Sequence, residues 1–467
     1  MVNIQNIAKQ STIENYYDSV TTRCRRVVRD ADSPNYGRHE LPQMSQVCNH
    51  CSASFFKDEG VNLCCAGGRV VLPSFPPMPQ EIYNLLEEST EFRKKIRKYN
   101  QVMSFCSLGA KVDETLANER NGIYTFRVSG QIHHQIGSAE PSEGEDGKFA
   151  QIYFFEKERQ TERRNEIFPD LEPENLNRLR DVLGRINPYV QLYKHAYETG
   201  ENVDDYKILF KNAQGNQHPG RYNTPTVAEV GCVLVESGDE ENTNRDVIIN
   251  RRGGDIQRIS ELHAAYDPLM YILLLPFGSP GWHDNISRYG EMRRVTLKDF
   301  ANYHLMVRRI HLFPKKHPLH LGGRLFQQWV VDQYAKIESN NLNYIRHNQK
   351  ELRTDTYANV TDAIANGDVR IGKRIVLPSS FIGSDRYMMQ CYQDSMALVR
   401  THGKADYFIT ITCNPKWVEI SKELLPHQTA SDRPDIVARI FNLKLDELLK
   451  DLTEKSAWEE PGILVHN

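Results

Sequence analysis

The sequence predicts an α+β fold in two or three parts: a small Cys-rich module, a mixed middle domain and a mostly helical region. Three observations predict it. Cysteines cluster at 48–65 ahead of a proline-rich connector, alternating apolar stretches mingle with helical ones up to about residue 290, and helical periodicity dominates from about residue 295. The boundaries read as 1–75, 76–290 and 291–467, which suits 467 residues at roughly 150 residues per domain.

Hydrophobic residues make up 39% and charged residues 25%, which excludes a disordered chain. Lys+Arg number 58 against 61 Asp+Glu, a net charge of -3, so any nucleic-acid signal has to be local. The longest strongly apolar run, LMYILLLPF at 269–277, is about half of a membrane span. MVNIQNIAKQ at the start has no apolar core for a secretory signal. Nine Cys without an export signal point to a reducing, intracellular compartment, with thiols free or on metal.

Residues 1–40 carry Arg23, Arg25, Arg26 and Arg29 and read as a solvated face or loose arm. VVLPSFPPMP (70–79) is an extended connector. Ile82, Leu85, Leu86, Phe92 and Ile96 form a helical stripe after it. GIYTFRVSGQIHHQI (122–136) alternates and predicts paired strands around Gly130, and KFAQIYFFE predicts another strand. Leu176, Leu179, Leu183, Ile186 and Val190 recur at helical spacing, and YDPLMYILLLPFGSPGW (266–282) reads as a buried segment closed by Gly and Pro. Beyond 295, helices are expected at 296–310, 323–350, 384–402, 415–425 and 434–452, with one strand, DYFITIT, at 406–412.

Cys48-x2-Cys51-x12-Cys64-Cys65 is the sharpest chemical pattern. A C-x2-C turn aims two thiolates at one tetrahedral Zn²⁺, and a second pair closes the site without an open position. Adjacent side chains diverge in an extended chain, so Cys65 competes for the fourth position with His50, His39 and Cys24. The competing account is four buried structural thiols.

From Arg293 to Arg324 the chain carries eight cations, among them Arg308, Arg309, Lys315 and Lys316, opposed by Asp299 alone. Four His and the aromatics Tyr303 and Phe313 are interleaved, a composition that suits single-stranded DNA and equally a solvated helix pair. His317-x2-His320 has a metal-like spacing, but the flanking Pro314 and Pro318 favour coincidence. Ser384 is placed to cap a helix closed by Gly403. After the strand, Asn414 is placed to cap a helix with Pro415 at its first position and Lys416 and Trp417 in its first turn. That junction suits a phosphate and a stacked base, or is an ordinary strand–helix turn.

LPSSFIGSDRYMMQCYQDSMALVRTHGKADYFITITCNPKWVEI (377–420) and SDRPDIVARIFNLKLDELLKDL (431–452) resemble the Helitron helicase-like domain, the Rep-type part of a rolling-circle transposase. CNHCSASFFKDEG, CCAGGRVVLP, FRVSGQIHHQIGS, RYNTPTVAEVG and YDPLMYILLLPFGSPGW resemble the same family upstream, so the likeness spans roughly 45–452. It implies that the helical region leads into a Rep-like sheet, and that Thr410, Thr412, Asn414, Pro415 and Trp417 support or contact DNA. It further implies a eukaryotic transposable-element origin, a nuclear location, and in the full-length family protein a tyrosine nuclease using Mg or Mn joined to an ATP-dependent helicase.

The chain departs from the family pattern. None of its sixteen His stand at i, i+2, and no G-x4-G-K-[ST] occurs. The sequence therefore predicts a chain truncated before the family's His-x-His motif, with an incomplete Rep-like sheet. The expected function is a single-stranded-DNA-binding remnant without its own catalytic centre. The alternative is the N-terminal fragment of an active Rep endonuclease–helicase.

Overall fold

The computed structural model describes residues 40–199 apart from short gaps at 61 and within 114–123 and 138–145, then 207–210, 247–250, 257–308, 317–349, 377–404 and 410–453. The following concerns the compact unit spanning Gln43–Asn467. Helices accompany small antiparallel sheets, an α+β architecture.

Strands β1 (Gln46–Val47) and β2 (Ser54–Phe55) pair around the first two cysteines. The connector leads to α1 (Gln80–Glu88) and α2 (Thr90–Met103), two helices where the apolar stripe suggested one. Ser89 divides them, because its hydroxyl accepts from Phe92 N and caps the second. Strand β3 (Ser107–Val112) pairs with β4 (Val128–Ile136), which pairs with β7 (Gln257–Ile259). The hairpin expected around Gly130 is thus one strand, whose partners lie elsewhere in the chain. Gly130 sits at φ +85° within it, and no neighbour lies within 4 Å of where a Cβ would be. β5 (Lys207–Phe210) and β6 (Val247–Asn250) form a separate pair.

KFAQIYFFE is not a strand but a 3-10 turn over Phe149–Phe154. Ala150, Ile152, Tyr153 and Phe154 are all buried, so the segment has no solvent face to alternate against. Helices α3 (Lys157–Ile167), α4 (Pro173–Ile186) and α5 (Pro188–Thr199) follow. The break between the last two is local: Asn187 Oδ1 accepts from Tyr189 N and Val190 N, and Pro188 cannot donate back into the preceding turn.

The segment read as buried is the centre of the main core. It includes α6 (Tyr266–Met270) and packs with α2, α4, α5 and α9 (Gly323–His347). Inside that core, His134 Nε2 lies 2.8 Å from Asp332, and Tyr271 donates to the same carboxylate at 2.8 Å. Lys336 Nζ meets Asp267 at 3.0 Å, with both side chains about 1% exposed. The polar atoms of this network answer one another, as burial of charge requires.

The remaining helices are α7 (Leu297–Leu305), α8 (Pro318–Leu321), α10 (Asp385–His402), α11 (Val418–Glu423) and α12 (Pro434–Thr453). Ser384 and Gly403 cap α10 as expected, yet none of that helix's side chains is buried. The strand expected at 406–412 is absent from its described part: residues 410–412 are irregular and exposed, and 406–409 lie outside the described residues. No helix among the described residues is long and apolar enough to cross a membrane.

Candidate metal centre and its surroundings

Two tight turns bring the cysteines together. In the first, Cys48 N donates to Ala53 O at 2.9 Å and Ser52 N donates to Cys48 O at 2.9 Å. His50 N points at Cys48 Sγ at 3.4 Å. The second turn is Cys64-Cys65-Ala66-Gly67-Gly68, whose last three residues have φ of +50°, +70° and +87°. That left-handed run folds the chain back, so Gly68 N lies 3.2 Å from Cys65 Sγ. A Cβ on Gly68 would stand 2.8 Å from His50 Nδ1, so the turn needs glycine on both counts.

The turn also removes the objection to Cys65. Its backbone is not extended, and the Cys64 and Cys65 sulfurs are 3.6 Å apart. Cys48 and Cys65 are 3.7 Å apart, and all four sulfurs lie within 4.8 Å of one another. A tetrahedron of sulfurs at about 2.3 Å from a zinc ion has edges of about 3.8 Å. The spacing is far beyond the ~2.05 Å of a disulfide, and the four cysteines are free. Cys48, Cys51, Cys64 and Cys65 form a four-thiol cluster able to hold a metal, with Cys64 and Cys65 buried. Exposed His50 is not among the grouped donors, and His39 and Cys24 lie outside the described residues.

The protons in this cluster are shared. The hydrogen bond from Cys64 pulls the Cys51 thiol down to about 4, with Arg308 adding to the effect. The same bond pushes Cys64 strongly up, and burial raises Cys65 to about 11. One sulfur thus holds thiolate character while its neighbour keeps the proton, a place a metal would take.

Arg308 is the cation of this site. Its guanidinium lies 3.6 Å from Cys51 Sγ and donates to Cys51 O at 3.2 Å and Cys64 O at 3.5 Å. It stacks over Tyr303 at 3.7 Å from the ring centre and also donates to Tyr303 O. The sequence placed Arg308 on a DNA-facing surface, whereas the structure turns its guanidinium inward, onto the cysteine turns. Nothing in a local reading marks it apart from Arg309, because its partners lie some 250 residues upstream.

The module is fixed to the helical region by more than this arginine. Ser54 N donates to Val307 O at 2.7 Å, and Tyr303 donates to Leu72 O at 2.9 Å. Arg439 of α12 pairs with Glu59 at 2.6 Å and donates to Ser54 O at 2.9 Å. Beneath the sulfurs, Ala53, Phe55, Val70 and Leu72 share one small core with Trp282, Ile286, Val295, Phe300 and Met306.

Among the described residues, the other expected site residues do not converge on this centre. Arg309, Lys315 and Lys316 lie outside the described residues. Thr410, Thr412, Asn414 and Lys416 are exposed. Asn414 does not cap a helix: its Oδ1 accepts from Lys416 N at 2.9 Å in a turn of its own, and the helix begins at Val418 with Trp417 as the flanking residue. Pro415 therefore stands before the helix and not at its first position. Lys444 lies 5.1 Å from the centre of the half-buried Trp417 ring.

His317 and His320 are packed rather than poised for a ligand. Their ring centres are 4.5 Å apart, and His320 Nε2 lies 3.1 Å from Leu305 O. His304 stacks on Phe75 at 4.0 Å. Burial lowers His304 to about 3, His320 to about 4 and His317 well below its ordinary value. Among the described residues, the four-cysteine cluster is the sole group of three or more donors close enough to share a metal.

Residues 300–464 match the family described as the Helitron helicase-like domain at the N-terminus. No curated protein matches the chain. The matched segment holds Arg308 and Arg439, the two arginines that grip the cysteine module from outside it. Over residues 300–464 the chain is thus similar to the Helitron helicase-like domain.

Proposed function

We propose that this chain is a Helitron-derived, single-stranded-DNA-binding protein of the nucleus without a catalytic centre of its own. The observation that carries the reading is the match of residues 300–464 to the Helitron helicase-like domain. In this reading Cys48, Cys51, Cys64 and Cys65 hold one structural Zn²⁺, which supplies folding energy and, with four protein ligands, leaves no position for substrate. DNA contacts fall to Arg309, Lys315 and Lys316 and to the exposed Thr410, Thr412, Asn414 and Lys416 beside Trp417. Arg308 serves the metal module instead. The sequence supports the lack of catalysis, because it has neither a His-x-His pair nor a phosphate-binding loop.

The test is fluorescence anisotropy with labelled single- and double-stranded oligonucleotides over a salt series. Tighter binding of the single strand, with a log–log slope of about 0.7 per neutralised phosphate, is the expected result. Equal or absent binding would refute it. A covalent protein–DNA adduct formed with Mg²⁺ or Mn²⁺ and surviving a denaturing gel would refute the non-catalytic part. A second reading, the N-terminal part of a Rep endonuclease–helicase, is favoured by the family's description as an N-terminal domain. A genomic reading frame downstream carrying a His-x-His strand and tyrosines would decide for it.

A further inference from the structure

Beside the cysteine cluster, residues Ile286–Val295 fold into a short antiparallel hairpin. Val295 N donates to Ile286 O at 2.8 Å, Arg288 N donates to Arg293 O at 2.9 Å, and Ser287 bridges Arg294. Its base is rooted, because Trp282 Nε1 donates to Val295 O at 2.8 Å and Ile286 and Val295 belong to the core that holds Cys64 and Cys65. Its side is tied to the second cysteine turn: Tyr289 N donates to Arg69 O at 2.8 Å, one residue beyond Gly68. Gly290 turns the tip at φ +71°.

The tip is held rigidly and still points large apolar groups at water. Tyr289 is 77% exposed and Met292 fully exposed. The charges around them are unequal. Arg69, Arg288, Arg293, Arg294 and Lys298 stand against Asp284, Glu291 and Asp299, and each carboxylate is already paired with an arginine of the group. The excess is cationic and sits with Arg293 and Lys298, both exposed, beside the exposed Arg294 that lies 3.5 Å from Asp284.

We propose that this hairpin is a nucleic-acid contact: Tyr289 stacks on an unpaired base, Met292 packs against its neighbour, and Arg293, Arg294 and Lys298 take the flanking phosphates. An aromatic face amid an excess of cations suits a single strand, because every base offers a π face and the backbone supplies the negative charge. A protein partner fits less well, since the apolar tip comprises two side chains and not a continuous patch. The proposal rests on the DNA-binding reading above and adds a site to it. Sequence reasoning began its basic segment at Arg293 and missed Tyr289 and Met292, because only the folded hairpin sets them beside Arg69.

The experiment uses the full chain and a single-stranded oligonucleotide carrying 2-aminopurine, read by anisotropy and by base fluorescence. Tyr289→Ala is expected to weaken binding about tenfold or more and abolish quenching of the base, with an unchanged salt slope. Tyr289→Phe should retain both. Arg293→Ala with Arg294→Ala should lower the slope by about 1.4. Wild-type binding that Tyr289→Ala leaves intact would overturn the hairpin site alone. Absence of wild-type binding would overturn the site and the DNA-binding reading together. Equal losses on duplex and single strand would overturn the assignment to unpaired bases.

Discussion

The Arg308 guanidinium lies 3.6 Å from the sulfur of Cys51, although the two residues are separated by most of the chain. A cluster of four thiolates around a divalent cation carries a net negative charge, and Arg308 stands against it with its flat face on Tyr303. The guanidinium fork serves this place better than an ammonium, because it reaches several carbonyls, those of Cys51, Cys64 and Tyr303 among them, and a sulfur while stacking.

Arg308→Ala is expected to destabilise the protein by about 2 kcal/mol, the scale of losing charge-assisted hydrogen bonds. It should leave the salt slope of DNA binding unchanged. Lys at this position should recover a minority of the loss. Thermal denaturation combined with a salt titration checks both halves, and a flattened slope with unaltered stability would return Arg308 to the DNA surface.

One zinc per chain is expected by emission spectroscopy. Cys51→Ser should release it and unfold the module around residues 43–72, because metal binding energy is folding energy. Trp282 reports the event, since its ring shares a core with Cys64 and Cys65. A metal-free protein with unchanged tryptophan emission and melting temperature would contradict this.

Gly68→Ala and Gly130→Ala form an informative pair. Both glycines have φ near +85°, at +87° and +85°, so each substitution carries about 1–2 kcal/mol of backbone strain. Only at Gly68 does a new Cβ also meet another group, His50 Nδ1 at 2.8 Å. Zinc affinity should therefore drop in Gly68→Ala and stay unchanged in Gly130→Ala, as competition with a chromophoric chelator would show.

Acid should unfold the protein through His304, His317 and His320. Burial lowers all three, so the folded state favours neutral rings while the unfolded chain takes up protons below about pH 6.5. Their contribution is fully present above that pH and is lost as pH falls towards 4, by up to about 2 kcal/mol per ring at pH 5. Arg308, Arg433 and Arg439 face the cluster and deepen the loss, whereas Asp435 opposes it at His320. Asp435 itself is pushed up by burial but held below its ordinary value chiefly by Arg433, so its own loss falls at lower pH. His304→Phe, which keeps the stack on Phe75, should flatten the stability curve between pH 6.5 and 5. An unaltered curve would show that His304 binds protons alike in the folded and unfolded states, against the burial argument.

Lys336→Met should cost about 3–5 kcal/mol, because Asp267 is then buried without its cation. Adding Asp267→Asn should return much of it. Urea denaturation of the single and double variants measures this, and a single-variant cost under about 1 kcal/mol would mean that water reaches the carboxylate.

Local chemistry determined what the sequence alone made legible. The caps at Ser384 and Gly403, the buried run after Tyr266 and the long helix from Gly323 depend on neighbours within a few residues, where sterics and periodicity decide. The C-x2-C spacing marked a metal turn for the same reason. Tertiary structure decided the rest. Cys65 joined the cluster because three left-handed residues follow it, a conformation that Ala66 does not announce. The 149–154 segment abandoned a strand for a tight turn because the core surrounds it. Arg308 left the basic surface for the cysteine turns, since a half-buried guanidinium gains more from carbonyls and sulfur than from water. Pairings across hundreds of residues, such as Arg308 with Cys51 and Arg439 with Glu59, are set by packing and leave no periodicity for a sequence to carry.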